Sequence, residues 1–412
     1  MNQADYLLSP KAIRERTLAL YHLAEKGGTH FRLQPEKLPQ IASLVIEVTR
    51  SNYPDLAIPF HSRWGHFRAG KKDRLQSIHQ NLANIKKRDP LEYVRTLWDL
   101  VIPSVLLDAG AGDRWKFTES DGTTISRSEG LGVASLALFQ AGSLSTNSKN
   151  LLQSDANGLS QFSTEALESA FQVTPNNPLL GCEGRAKLLR KLGEVVYQNP
   201  EYFPEPSGKR GQVRVGSLID YLFQKFGKNI RAPDLLLTVL KALGPIWPGR
   251  VRFEGQALGD VWSHPELGPK GSFESLVPFH KLSQWLTYSL IEPLLDAGFS
   301  VPGVEELTGL AEYRNGGLVL DGGLISLRNP DWATQPHSAD SPLVVEWRAL
   351  TLVFLDRLAE EVRRQLQKTP QELPLAKVLE GGTWWAGRKL AKEIRPNTSN
   401  PPLELVSDGT VF

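Results

Sequence analysis

The stretch GLAEYRNGGLVLDGGL (residues 309–324) decides how this chain is read, because five glycines in sixteen positions interrupt a sequence that is otherwise helical in its periodicity. Glycine loses more backbone entropy on folding than any other residue, so this density disfavours a plain helix or strand and predicts a segment needing positive φ or close backbone approach. Such a segment suits a ligand, with Glu312, Tyr313, Arg314 and Asp321 on its rim. The same letters also fit a hairpin turning at Asp321-Gly322 with solvated polar side chains.

Outward from this break, apolar residues recur at helical spacing over 9–25, 36–50, 90–108, 129–141, 182–197, 215–226, 233–243, 276–297, 342–367 and 374–394. The first run opens with Ser9-Pro10, a cap residue followed by proline at the first helical position, and ends near Gly27-Gly28. Three polar-alternating pieces read as hairpins: 115–127 turning at Asp121-Gly122, 250–262 turning near Glu254-Gly255, and 318–327. The predicted fold is therefore mainly α, one large helical domain over 1–395 with short β-hairpins, its two lobes meeting near 205–230, and an extended tail over 396–412. Segments 143–158, 204–212 and 329–342 read as surface loops, and no repeat of fixed period is present.

The 412 residues carry 47 basic and 45 acidic side chains, a net charge of +2, so no global field favours a polyanion and nucleic acid is not the expected partner. The start, MNQADYLLSPKAIRERTLALYHL, lacks a basic flank before an apolar core, and no apolar run has membrane-spanning length; a cytoplasmic protein without a membrane partner is expected. Cys182 is the single cysteine, with no base beside it, and reads as structural. Phosphate-loop, dinucleotide, zinc-protease and nucleophile-elbow motifs are all missing.

Four constellations carry candidate chemistry. The run 90–115 is apolar nearly all round between Asp99 and Asp108, which predicts a buried helix kinked at Pro103 that delivers Asp108 and Asp113 to a glycine-rich elbow. A carboxylate at the negative end of a helix dipole gains nothing locally, so Asp108 needs a partner; Asp113 also fits a cap. HSRWGHF (61–67) brings His61, Arg63, Trp64 and His66 together, a planar donor fork beside a stacking surface, or else a basic surface loop. Its two histidines have no third metal-type neighbour, so no metal or other cofactor is expected. RSEGLGVASL (127–136) starts a helix whose free N–H groups either bind an anion near Arg127 or are capped by Ser128 and Glu129. In VPFHKLSQWLTYSLIEPL (277–294), His280, Gln284 and Thr287 form a polar stripe beside Trp285 and Tyr288, either solvated or the wall of a pocket.

Taken together, LLDAGAGDRWKFTE, RSEGLGVASL, NPLLGCEGRAKLLRKLGE, WPGRVRFEGQALGDVW, VPFHKLSQWLTYSLIEPL and LTGLAEYRNGGLVLDGG resemble the uracil-catabolism (URC/urg) family of fungi and bacteria, a domain of unknown function. This resemblance runs from about Tyr6 to beyond Asp321 and implies a role in a route through ribosylurea intermediates to urea. AEYRNGGLVLDGGL resembles the Asp-Tyr-Arg segment of the queuosine-salvage N-glycosidases, whose all-helical fold is related to DNA glycosylases; Glu312 replaces that family's Asp. SVPGVEEL (300–307) likewise resembles a helix-hairpin-helix loop, with Glu305 where its second glycine belongs.

These resemblances imply hydrolysis of a C1′–N bond in ribosylurea or its 5′-phosphate, a small-molecule substrate. The expected roles are carboxylate stabiliser for Glu312 or Asp321, proton donor for Asp108 or His280, and phosphate binding for Arg63, Arg127 or Arg314. Trp64, His66, Asp113, Glu129, Gln284, Trp285 and Tyr313 complete the expected substrate contacts, and Asp108 is expected beside the Glu312–Asp321 segment. A ureide or amide hydrolase, with or without a metal, and a non-catalytic pathway scaffold are the competing readings.

Overall fold

Helices carry the chain, and the first long one starts where Ser9-Pro10 predicts. Ser9 accepts the amide of Ala12 at 3.1 Å ahead of the helix Pro10–Glu25, and Asp89 accepts that of Glu92 at 3.0 Å ahead of Pro90–Leu106. The computed structural model describes residues 2–108, 110–112, 114–205, 213–247 and 251–406. Among them the strands form only short two-stranded sheets, so the fold is mainly α. Two of the three expected hairpins are present, Lys116–Thr118 with Thr124–Ser126 and Arg252–Phe253 with Gln256–Ala257.

The third expected hairpin, and the reading of 309–324 as irregular, are corrected. Tyr313–Asp321 is an α-helix, and Ile325–Leu327 pairs antiparallel with the distant Phe31–Leu33. Within that helix Gly316 serves close packing. A Cβ on Gly316 would lie 2.7 Å from the Trp347 ring, whose indole N–H donates to the Gly316 carbonyl at 3.0 Å. Gly323, at φ 75°, lies just beyond the helix end in the left-handed region where glycine is favoured.

The chain divides into two compact units, Met1–His61 with Pro248–Trp285 and Gly303–Phe412, and Ser62–Trp247 with Leu286–Pro302. The helix Lys281–Asp296 gives its residues up to Trp285 to the first and the remainder to the second. In the first unit, Pro342–Leu366 is the core helix, buried along most of its length and packed by Pro10–Glu25 and Leu38–Asn52. Tyr313–Asp321 packs on Trp384–Ile394, where a Cβ on Gly387 would lie 2.0 Å from the Arg314 carbonyl. Between Leu375–Val378 and that last helix, Leu379–Thr383 forms a π-helical turn, a feature frequent at functional sites. Beyond Arg395, Glu404–Val406 pairs in parallel with Pro336–Ser338.

In the second unit, Pro90–Leu106 is buried on every side from Thr96 to its end, as its apolar pattern requires, and runs through Pro103. Asp99 lies within this buried part, accepting the Gly216 amide at 2.6 Å and facing Arg214 at 3.0 Å; burial outweighs the cation and pushes its carboxyl up to about 7. Cys182 is buried, donates to the Leu179 carbonyl at 3.2 Å, and has its thiol pushed up by burial.

Candidate active site

Glu312 occupies the N-cap of Tyr313–Asp321, so its position is set by the orphan amides of a helix start. One carboxylate oxygen accepts from Asn315 at 2.6 Å and the other from Arg314 at 2.7 Å. Burial nevertheless raises its pKa, while those two amides and the charges of Lys281 and His61 pull it back. The residue as a whole keeps partial exposure. This is the balance a catalytic carboxylate requires.

Around it the first unit assembles a second chain of titratable groups. His61 contacts Glu380 through Nδ1 at 2.8 Å, and the Tyr53 hydroxyl donates to the other Glu380 oxygen at 2.8 Å. Glu380 is presented by the π-helical turn, and burial, then Glu380 itself, raise the Tyr53 phenol. Asp260 anchors the start of the helix Lys281–Asp296: it accepts the Lys281 amide at 3.0 Å and the Trp262 indole N–H at 2.7 Å, and pairs with Arg348 through two bonds of 2.8 Å. Despite its burial, Arg348 and these donors hold the Asp260 carboxyl well below the usual range.

Of the residues singled out from sequence, Glu312, Tyr313, Arg314, Asp321, His280, Gln284 and Trp285 fall in this unit. Tyr313 is exposed, with the Arg314 guanidinium 4.9 Å from its ring centre; buried Arg314 donates from Nη1 to the Ser399 carbonyl at 2.9 Å and leaves Nε without a partner. Asp321 is held by a two-point ion pair with Arg395, which leaves it little freedom to face a substrate. His280, in the left-handed region at φ 48°, donates from Nε2 to the Leu7 carbonyl at 2.8 Å. Burial lowers its pKa, and its Nε2 proton is already given to Leu7, which disfavours the proton-donor role. Gln284 and Trp285 are buried, which makes the polar stripe a wall and not a solvated face.

Arg63, Trp64, His66, Asp108, Arg127 and Glu129 belong to the second unit. Arg63 is fully buried and donates to the Ser104 hydroxyl at 2.7 Å, the Ser104 carbonyl at 2.9 Å and His66 Nδ1 at 2.9 Å. It pairs with Asp108 at 3.0 Å, and Ser128 donates to the same carboxylate at 2.7 Å. The partner that Asp108 required is thus Arg63, and the expected pairing with Glu312 and Asp321 finds no support: each of the three acids is engaged within its own unit. The basic-loop and phosphate readings of Arg63 give way to an internal brace. Ser128 spends its hydroxyl on Asp108 instead of capping its helix, and the Glu129 charge acts on Arg63. Trp64 is buried and donates to the Ser289 carbonyl at 2.7 Å, while Arg127 is exposed at φ 57°. Asp113 lies outside the described residues.

Sequence reasoning gave His61 no site role and missed Tyr53, Asp260, Lys281, Arg348 and Glu380. Only Arg348 left a clear signal, a cation inside the apolar run LVVEWRALTLVFL. Among the described residues no group of three or more His, Cys, Asp or Glu side chains could hold a metal ion, and no helix is long and apolar enough to cross a membrane.

Residues 6–412 match the family described as a protein of unknown function (DUF1688). The chain belongs to this family. Two similar relatives are fungal. Protein urg3 of Schizosaccharomyces pombe is 39% identical over 416 residues, covering 98% of both chains. Uracil catabolism protein 4 of Lachancea kluyveri is 36% identical over 445 residues, covering 100% of this chain and 99% of the relative. The resemblance read from the sequence motifs is therefore borne out at family level.

Proposed function

We propose that this protein acts in uracil catabolism as an N-glycoside hydrolase, cleaving ribosylurea or its 5′-phosphate to urea and ribose or ribose phosphate. The names and full-length coverage of the two fungal relatives support the pathway. The reaction rests on one observation: Glu312 is a half-buried carboxylate with a raised pKa, held by two amides within electrostatic reach of Lys281 and His61.

Cleavage of a C1′–N bond passes through a sugar cation, which a carboxylate beneath C1′ stabilises, while urea leaves only when its nitrogen is protonated. Glu312 takes the first role. His61, oriented by Glu380 through Nδ1, takes the second from Nε2. As the C1′–N bond breaks, the departing nitrogen takes the imidazolium proton; water then adds its oxygen to C1′ and gives a proton to Glu312. Arg314, with Nε unpartnered, is the group offered to a 5′-phosphate.

Purified protein incubated with ribosylurea and with its phosphate should release urea, and Glu312→Gln and His61→Asn should suppress that release without unfolding the chain. Absence of urea from both substrates with folded wild-type protein removes this reading.

A further inference from the structure

We infer that Gln284 recognises a ureido group, its amide pairing with the urea portion of an N-ribosyl ureide through two side-by-side hydrogen bonds. The inference rests on the glycosidase reading of Glu312 and adds to it the group that reads the leaving half of the substrate.

Gln284 is fully buried, yet neither Oε1 nor Nε2 has a hydrogen-bond partner among the described residues. A buried amide left in that condition is destabilising and rare, so its retention asks for a ligand that uses it. Its backbone is fixed: the Gln284 amide donates to the His280 carbonyl at 2.8 Å, and Asp260 holds the Lys281 amide at 3.0 Å. Lys281 and Gln284 are three residues apart on one helix and so share a face. Lys281 is also the first of the side-chain charges that act on Glu312. The unpartnered amide therefore lies on the same side of this helix as Lys281. Asn315, whose backbone amide binds Glu312, likewise keeps its Oδ1 without a partner, a second buried acceptor beside the same carboxylate.

A carboxamide offers an acceptor and a donor side by side in one plane. A ureido group offers the complementary pair, N–H and C=O, and is neutral, as a buried neutral reader prefers. An aglycone without that pair leaves the amide unmatched, which is how a polar site discriminates most strongly.

The test compares ribosylurea with 4-nitrophenyl β-D-ribofuranoside, which has the same sugar and no ureido group, in wild type, Gln284→Met and Gln284→Glu. Methionine removes both hydrogen-bonding atoms at similar length; glutamate removes only the donors and serves if the methionine variant fails to fold. In folded variants, kcat/KM on ribosylurea should fall about ten- to a hundredfold more than on the nitrophenyl riboside. Equal losses on both substrates overturn the inference and make Gln284 structural. Calorimetric titration with N-methylurea separates this outcome from failure of the glycosidase reading. If wild type cleaves neither riboside but binds N-methylurea, and the variants do not, the ureido subsite stands while the reaction does not. Wild type that fails to bind N-methylurea overturns the subsite.

Discussion

Replacing Glu312 by glutamine keeps the shape of the side chain and removes its charge. The wild-type carboxylate accepts one amide at each oxygen, at 2.6 and 2.7 Å. Glutamine retains one accepting oxygen, so one charge-assisted bond is lost, a cost of about 1.5–3 kcal/mol. Against this stands the burial that raises the Glu312 pKa, a penalty on the charged form that the amide escapes. The two effects oppose each other, and the melting temperature should move by no more than a few degrees. Turnover has no such compensation: loss of a charge facing a developing cation should cost about 3 kcal/mol or more, roughly a hundredfold in rate. The pH dependence gives a second readout. Because the folded pKa is raised, the Glu312 contribution to stability is full below the unfolded carboxyl value and is lost as pH rises through the folded one. Activity needs the ionised form and rises through that same value. Activity and stability should thus respond oppositely in the window above the ordinary glutamate pKa, and both responses should vanish in Glu312→Gln. Urea release and thermal melts across pH measure this, and wild-type turnover in a folded Glu312→Gln protein would refute the reasoning.

Other substitutions and treatments test the frame around the site. Arg348→Met strands the Asp260 carboxylate, which Arg348 now pairs at 2.8 Å, and should cost about 3 kcal/mol in guanidinium unfolding; a loss below about 1 kcal/mol would contradict the bracing role. Because the Asp260 pKa is depressed, its stability contribution is present above the unfolded value and lost as pH falls, so this cost should shrink in acid. Gly387→Ala brings a Cβ to 2.0 Å from the Arg314 carbonyl and should destabilise by about 1–3 kcal/mol, with kcat falling as the Glu312 helix shifts; an unchanged melt would refute that packing. Dialysis against a strong chelator should alter neither activity nor melting, and stoichiometric zinc or manganese lost together with activity would contradict this.

The helices were legible because buried faces impose a period, and the capping signal at Ser9-Pro10 marked where one of them begins. The glycine-rich stretch misled because glycine density has two causes, conformational freedom and closeness of packing. Only packing partners such as Trp347 at Gly316 and Leu355 at Gly309 distinguish them, and both act through contacts that no local pattern encodes. Glu312 stood out through its neighbours in sequence, whereas Asp260, Arg348 and the His61–Glu380–Tyr53 chain join residues far apart along the chain. Asp108 illustrates the converse: an isolated acid at the end of an apolar helix correctly demanded a partner, but the sequence did not say that Arg63 would be that partner.

The most direct test of the central claim is the fate of the ureido carbon. With ribosylurea labelled with ¹³C at that carbon, cleavage at C1′ delivers the label as urea, in step with free ribose, and this is the expected result. Label appearing as bicarbonate, with ammonia released and no urea formed, would place hydrolysis at the ureide and contradict the account.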